Sequence, residues 1–207
     1  MTVLNDTVWS KAVAEILSAG RQMDRHGWVP ATAGNLSSRL PDGRIAITRS
    51  GGHKGFLTNE SIIEVGPDGM PVNAKDRPSA ETLLHCQIYA AEPDTRAVLH
   101  GHSVAATVIS LIEPGPELVF TGYELLKVFA GQVSHEARLR LPVLENDQDI
   151  PRLCRAIAPI FPSMTMGYVI RGHGVYIWGV SMDQALARLE GLEFLLSCAL
   201  ERRKLGP

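Results

Sequence analysis

Two histidines separated by a single residue are the first candidates for chemistry in this sequence. His100 and His102 follow Ala97-Val98-Leu99, an apolar run typical of a short buried strand. Because alternate residues of a strand point to the same face, the two imidazoles should project side by side, roughly 6–7 Å apart at the backbone. At that spacing they can bind one metal ion together. The simpler alternative is a pair of core histidines held by hydrogen bonds.

A third histidine extends this candidate metal site. His173 lies between Gly172 and Gly174, immediately before the strand-like run Val175-Tyr176-Ile177-Trp178. Glycines let the backbone turn tightly or let another group approach closely. Three neutral imidazoles suit zinc, and three protein ligands leave one position open for water or substrate. Ligand type alone also leaves nickel, cobalt, iron and manganese open.

A glycine-rich loop is the second candidate site. The segment Ser50-Gly51-Gly52-His53-Lys54-Gly55 follows a predicted hairpin whose turn is Pro41-Asp42-Gly43. Backbone N–H groups of such a loop, together with the Lys54 cation, can bind a phosphate. Asn35 and Ser37 of the hairpin could add side-chain donors. The loop is not a Walker A sequence, and taken alone it also fits an ordinary turn.

A carboxylate marks the start of a predicted helix. In Pro78-Ser79-Ala80-Glu81, Ser79 is placed to cap the helix, and Glu81 falls in its first turn. Compensation of the helix dipole is a sufficient explanation for an acidic residue at that position. Further along the same helix, His85 and Cys86 are predicted to be core or interface residues rather than ligands.

Helices and strands alternate along the rest of the chain. The first helix is predicted from about Asp6 to His26, with Asp6 as its N-cap and Gly27 as its stop. Because several strands are joined by tight turns, we expect a mixed sheet covered by helices on both faces. The other predicted strands cover residues 44–48, 117–120, 139–144, 166–170 and 175–178, and the other helices cover 79–94, 103–112, 149–161 and 181–203.

Length and composition narrow the function classes. A chain of 207 residues predicts one domain, 1–207, and a net charge of −2 excludes the basic stripe of a nucleic-acid-binding protein. No apolar run approaches bilayer-spanning length, and the first residues lack the pattern of a signal peptide. The three cysteines, Cys86, Cys154 and Cys198, form no CxxC motif. They predict reduced thiols in a cytoplasmic protein.

Five motifs occur in one order and together resemble the class II aldolase/adducin family across nearly the whole chain. The resemblance implies a three-layer α/β/α sandwich around a largely antiparallel mixed sheet of nine strands. It also implies a C4-type homotetramer with active sites near subunit interfaces. The motifs are Gly34-Asn35-Leu36-Ser37, Ser50-Gly51-Gly52-His53-Lys54-Gly55, Pro78-Ser79-Ala80-Glu81, His100-Gly101-His102 and Gly172-His173-Gly174.

Roles for individual residues follow from the same resemblance. Glu81 matches the acid/base carboxylate of the family's sugar-phosphate aldolases. Glu124, in the segment 120–127, matches the general acid/base of the family's dehydratases. The residues matching His100, His102 and His173 bind zinc in the family, and those matching Asn35, Ser37, Ser50, Gly51 and Lys54 lie around the substrate phosphate.

The segments 120–127 and 173–179 are most similar to the dehydratase branch of the family. This similarity implies a zinc-dependent loss of water from a 2-ketose 1-phosphate. One alternative is an aldolase or 4-epimerase acting on a pentulose or deoxyhexulose phosphate, which breaks a C3–C4 bond instead. Another is a non-catalytic, adducin-like interaction module. The three histidines and two carboxylates argue against that module, because scaffolding requires none of them.

Overall fold

A mixed eight-stranded sheet forms the centre of the computed structural model, which describes residues 2–129, 131–164 and 166–206. The strand order is β3-β2-β1-β4-β8-β7-β6-β5, and all described neighbours are antiparallel except β6 and β7. The strands are β1 Asn35–Arg39, β2 Ile45–Thr48, β3 Ile62–Val65, β4 Ala97–Gly101, β5 Glu117–Phe120, β6 Leu139–Leu144, β7 Gly167–Ile170 and β8 Gly174–Gly179.

Helices cover both faces of the sheet, as the sequence predicts for a three-layer sandwich. One apolar core joins the sheet to α1, α3 and α5, and a second joins it to α2 and α4. Period-two alternation along the strands explains the two cores, because Leu99 belongs to the first and Val98 to the second. The helices are α1 Thr2–Arg25, α2 Thr82–Ala91, α3 Val104–Ile112, α4 Ile150–Ile157 and α5 Met182–Lys204.

The central strand β4 carries the first predicted ligand. His100 lies on the α2 side of the sheet, with Asn35 of β1 and Tyr176 of β8 as its partners across the strands. Gly101 faces the end of α1, where an added Cβ would lie 3.2 Å from the Trp28 carbonyl oxygen. The absence of a side chain at this position therefore lets the segment after α1 approach the strand closely. His102 follows directly after the strand ends.

Two helix starts differ from prediction. Asp6 is exposed and lies inside α1, which already begins at Thr2, because an amphipathic helix tolerates a polar residue on its exposed face. Helix α2 begins at Thr82 rather than near Ser79, and Glu81 takes the N-cap position without a side-chain capping bond. The Glu81 side chain is thereby free to turn away from its own helix. Gly27, with a φ of 72°, follows the end of α1 as predicted.

The sheet has eight strands among the described residues, not the nine that the family resemblance implies. Residues 66–81 contain Gly66, Gly69, Pro71 and Pro78, and their pairing with the sheet is limited to two isolated bridges. Prolines lack an N–H and glycines weaken extended structure, so this segment forms turns instead of a strand. Helix α4 also ends earlier than predicted, at Ile157 instead of near residue 161.

Two further features of the structure concern its cysteines and the length of its helices. Cys86, Cys154 and Cys198 are all free. None of the helices in the described ranges is both long and apolar enough to cross a bilayer.

Candidate functional site

Three histidines and one carboxylate meet beside the end of β4. Ligand atoms of Glu81, His100, His102 and His173 all lie within 4.8 Å of one another. The Glu81 carboxylate places Oε2 3.2 Å from His100 Nε2 and Oε1 3.1 Å from His173 Nε2. The fold therefore brings the three predicted histidines together with one of the two predicted carboxylates.

Separate elements hold these four side chains in place. His102 follows β4 and is fixed by its backbone N–H, which donates to the Trp28 carbonyl at 2.6 Å. His173 lies in the tight turn between β7 and β8, where its N–H donates to the Ile170 carbonyl at 3.0 Å. Glu81 enters from the N-terminus of α2. The cluster thus depends on three chain segments that are distant in sequence.

The hydrogen bonding of His100 tests whether a metal ion fits. His100 Nδ1 donates to the Val175 carbonyl at 2.9 Å, so in the neutral ring Nε2 carries a lone pair. This buried Nε2 has no hydrogen-bond partner in the described part of the chain, yet it faces an anionic oxygen of Glu81. A lone pair and a carboxylate repel unless a cation, either a proton or a metal ion, lies between them. Ligands about 2.0–2.1 Å from zinc in a tetrahedron are about 3.3 Å apart, which matches the observed contacts.

The charge states of the cluster also suit a divalent cation. Burial lowers the pKa of His102 to about 3, and the neighbouring His100 and His173 act in the same direction. His102 is therefore neutral at ordinary pH, which is the form that binds metals. Burial by itself would raise the pKa of Glu81, but His100 and His173 outweigh it and hold that pKa well below its usual range. Imidazole nitrogens and an ionised carboxylate form a donor set that could hold zinc or a related ion.

A pocket of about 710 Å³ opens onto this cluster. Its lining brings together most of the residues that the sequence singled out for metal, phosphate or acid/base chemistry. These residues are Asn35, Ser50, Gly51, Lys54, Glu81, His102 and His173.

Lys54 is a buried cation on the wall of the pocket. The residue is only 2% exposed, and Nζ donates to the carbonyls of Thr32 and Gly52, each at 2.7 Å. Two of the three ammonium protons are thereby used, which leaves one for a bound anion. Burial lowers the pKa of Lys54 to about 8, partly offset by the negative charge of Glu81. Helix α1 packs against this loop at Gly20, where a Cβ would lie 2.5 Å from the Lys54 carbonyl oxygen.

Ser37 lies elsewhere than expected. It is fully buried and absent from the pocket lining, and its hydroxyl contacts His85 Nδ1 at 2.7 Å and the Tyr89 hydroxyl at 2.8 Å. Asn35 and Ser37 point to the same face of β1, but only Asn35 lies at the strand end beside the pocket. Ser37 is the next residue on that face of β1, and there α2 covers it. Its predicted place around the substrate phosphate stays a prediction that these contacts do not support.

Glu124 does not join the cluster within one chain. It begins a 3₁₀ turn over Glu124–Val128, its side chain is 74% exposed, and it forms an ion pair with Lys127. The hydrogen bond from Lys127 lowers the pKa of Glu124. Glu124 is not among the pocket-lining residues. Its acid/base role stays a prediction.

Sequence reasoning missed several polar residues of the pocket. Arg49 precedes the glycine-rich loop, and Asn146, Asp147 and Gln148 begin one residue after the end of β6. Polar residues immediately after a buried strand are the signal that could have identified the second group. His85, predicted as a core or interface residue, is indeed buried, but it forms hydrogen bonds with side chains behind the pocket.

Arg171 anchors the turn that carries His173, and its replacement should be costly. Its guanidinium donates to the carbonyls of Ser110, Glu113 and Gly115 and so caps the C-terminus of α3. We expect Arg171→Met to lower the free energy of unfolding by about 2–4 kcal/mol, because three carbonyls lose a charged donor. Urea denaturation of the metal-free protein measures this change.

An exposed arginine provides the control for Arg171. Arg140, whose side chain is 56% exposed, forms an ion pair with Glu117. Arg140→Gln should change the free energy of unfolding by less than about 1 kcal/mol, because exposed pairs contribute little. Equal effects of the two substitutions would show that the contacts of Arg171 do not stabilise the turn.

Comparison with known proteins agrees with this geometry. The profile of the Class II Aldolase and Adducin N-terminal domain matches residues 14–200. A methylthioribulose-1-phosphate dehydratase from Gluconacetobacter diazotrophicus is 66% identical over 198 residues, covering 96% of this chain and 97% of the relative. Another, from Pseudomonas syringae, is 44% identical over 191 residues, covering 91% of this chain and 94% of the relative.

Solved structures with the same fold are also found. The structure of L-fuculose-1-phosphate aldolase from Thermus thermophilus superposes with a TM-score of 0.77. It is 24% identical and covers 95% of this chain and 97% of its own. At that identity the likeness concerns the fold alone, and it confirms the helix-covered mixed sheet.

Proposed function

Because the chain belongs to the class II aldolase and adducin family, we propose that it dehydrates 5-methylthioribulose 1-phosphate. The product is 2,3-diketo-5-methylthiopentyl 1-phosphate, and the reaction is a step of methionine salvage. The observation that carries the proposal is one pocket holding both the three-histidine cluster with its carboxylate and a buried lysine. The relatives that name this reaction match over nearly the whole chain.

We propose that the metal is zinc, held by His100, His102 and His173. The orphaned, buried Nε2 of His100 and the neutral state of His102 support this assignment. When bound, such an ion supplies Lewis-acid polarisation of the carbonyl group of the substrate. Elemental analysis of the purified protein identifies the ion, and a protein active without any metal would contradict the assignment.

The chemistry requires removal of the C3 proton and loss of the C4 hydroxyl. The pair of electrons from the C3–H bond becomes the C3=C4 double bond as hydroxide leaves C4. The resulting enol then becomes the C3 ketone by moving a proton from oxygen to C4. We propose Glu124 as the base at C3, and the acid formed there can return its proton to the departing hydroxide.

We further propose a cytoplasmic homotetramer in which Glu124 reaches the pocket of a neighbouring copy. The exposure of Glu124 and its absence from the pocket of its own chain support an arrangement between subunits. Free thiols support a reducing compartment.

Product analysis tests the proposed reaction directly. Incubation with methylthioribulose 1-phosphate should yield a product lighter by one water and carrying two adjacent ketones. Two shorter fragments would instead indicate an aldolase, and an isomer of unchanged mass would indicate an epimerase. If the metal-loaded protein forms none of these products, an interaction module would be favoured.

Lys54, with the loop Ser50-Gly51, is proposed to bind the 1-phosphate, and Asn35 lies beside them in the pocket lining. We expect Lys54→Ala to raise KM about 10–100-fold, because a charged hydrogen bond contributes about 1.5–3 kcal/mol. The value of kcat should fall too if phosphate binding positions the reacting carbons. Steady-state kinetics with phosphorylated and dephosphorylated substrate measure both effects, and Lys75→Ala, at an exposed position outside the pocket, is the control.

The pH profile separates the charge of Lys54 from its shape. With a pKa of about 8, Lys54 is protonated below that pH and loses its charge as the pH rises through it. The wild-type kcat/KM should therefore decline above about pH 8, while Lys54→Arg, which stays charged, should lack this decline. Equal efficiency of the wild type on both forms of the substrate would refute a phosphate role.

A further inference from the structure

A continuous series of hydrogen bonds runs from Glu81 into the protein interior. Asn35 Nδ2 donates to Glu81 Oε2 at 2.8 Å, and Asn35 Oδ1 makes a short contact with His85 Nε2. On the other side of the ring, His85 Nδ1 contacts the Ser37 hydroxyl at 2.7 Å, which contacts the Tyr89 hydroxyl at 2.8 Å. The reaction steps proposed above use none of the residues behind Asn35.

The direction of each hydrogen bond is determined by counting protons. Asn35 Nδ2 has two, which it donates to Glu81 and to the Ser79 hydroxyl at 3.1 Å. The Asn35 amide oxygen therefore faces His85, and only a protonated Nε2 can donate to it. In the neutral ring Nδ1 then accepts the proton of Ser37, whose oxygen is left to accept from Tyr89. The Tyr89 hydroxyl also has the Arg96 carbonyl as an acceptor at 3.5 Å, but the Ser37 oxygen at 2.8 Å is the nearer of the two.

The surroundings of His85 keep its ring neutral and so preserve the direction of these hydrogen bonds. The residue is fully buried, and the edge of its ring packs against Tyr176 with the centroids 5.7 Å apart. Burial lowers its pKa to about 3, with the neighbouring His100 acting in the same direction. A neutral ring thus persists across the working pH range. Since His85 follows Glu81 by four residues, the start of α2 presents both side chains on one side.

We propose that His85 is a positioning residue whose Nε2–H holds the Asn35 amide in the orientation that aims Glu81 at the histidine cluster. Without a donor at this position, the amide is free to rotate and to present its oxygen to the Glu81 carboxylate. Two oxygens would then repel where a hydrogen bond now forms. The catalytic consequence rests on the proposed function, whereas the orientation of the amide does not.

Kinetics of matched variants test the consequence for catalysis. We expect His85→Leu to lower kcat about 10–100-fold, the loss typical of removing an outer partner that orients a side chain at a metal site. KM should change little. His85→Gln retains an N–H donor at a comparable reach and should restore most of kcat. Ile88→Ala, a fully buried apolar change on the same helix, should lower Tm without this loss of kcat.

Nuclear magnetic resonance tests the orientation without any turnover. In metal-free protein labelled with ¹⁵N-histidine, His85 should show a protonated Nε2 and an unprotonated Nδ1, with no titration between about pH 5 and 9. The His85→Gln spectrum assigns the signal by its absence. An Nδ1–H tautomer, or a ring that titrates near neutral pH, would overturn the proposal.

The two experiments fail in different ways. If the chain does not dehydrate methylthioribulose 1-phosphate, the tautomer of His85 is unaffected, and the proposed function alone fails. If the enzyme is active but His85→Gln is as slow as His85→Leu, the positioning role fails. Should His85→Leu not fold, the tautomer and the glutamine variant still decide the question.

Discussion

Replacement of His102 by alanine should remove the bound metal and lower kcat by at least about a thousandfold. Lewis-acid stabilisation contributes several kcal/mol, and each 1.36 kcal/mol corresponds to a factor of ten in rate. The fold should persist, because the backbone of His102 is held by its hydrogen bond to Trp28 and the core does not depend on its ring. Elemental analysis, steady-state kinetics and circular dichroism on one preparation measure the three quantities.

Another histidine on the surface provides the matched control for His102. His26 is exposed, stacks on Trp28 at 4.4 Å between ring centroids and lies outside the cluster. His26→Ala should keep full metal content and activity. Full metal occupancy in His102→Ala would refute the assignment of His102 as a ligand, and loss of the fold would be visible in the circular dichroism.

The second large effect is expected at Glu124. Glutamine has the shape of the carboxylate but cannot accept the C3 proton, so Glu124→Gln should lower kcat about 10²–10⁴-fold. KM and metal content should change little. Glu81→Gln should act differently, through metal and substrate placement, because Glu81 lies against His100 and His173. Exchange of the C3 proton with deuterated solvent shows independently whether the base removes that proton.

The opposite pattern would change the assigned reaction. A retained rate in Glu124→Gln, together with a collapsed rate in Glu81→Gln, would favour an aldolase. If Glu124 is merely a solvated residue on its 3₁₀ turn, its substitution is harmless and the C3 proton still exchanges.

Mixing two inactive variants tests whether Glu124 acts across a subunit interface. Co-expression of His102→Ala with Glu124→Gln produces mixed oligomers in which some sites combine an intact His102 with an intact Glu124 from the neighbour. In a closed ring with random mixing, about a quarter of the sites are complete. Recovery of activity to that level supports the interface, whereas activity no higher than that of either variant alone would contradict it.

Local patterns in the sequence determined much of the fold and part of the site. Period-two alternation at the end of an apolar run placed His100 and His102 side by side, and their rings lie 4.4 Å apart between centroids. The hairpin of β1 and β2, the strand Leu139–Leu144 and the helix α3 also agree with prediction. These features depend on the geometry of a few consecutive residues, which is why the sequence specifies them.

The positions of Ser37, Glu81 and Glu124 were decided by tertiary structure. Ser37 and Asn35 share one face of β1, but the packing of α2 buries the first and leaves the second at the pocket. Glu81 resembles a dipole-compensating residue until the fold brings His100 and His173 within 3.2 Å of it. Glu124 matches a family motif yet remains on the surface of its own chain. Contacts between segments far apart in sequence depend on how helices pack on the sheet, and no local periodicity encodes them.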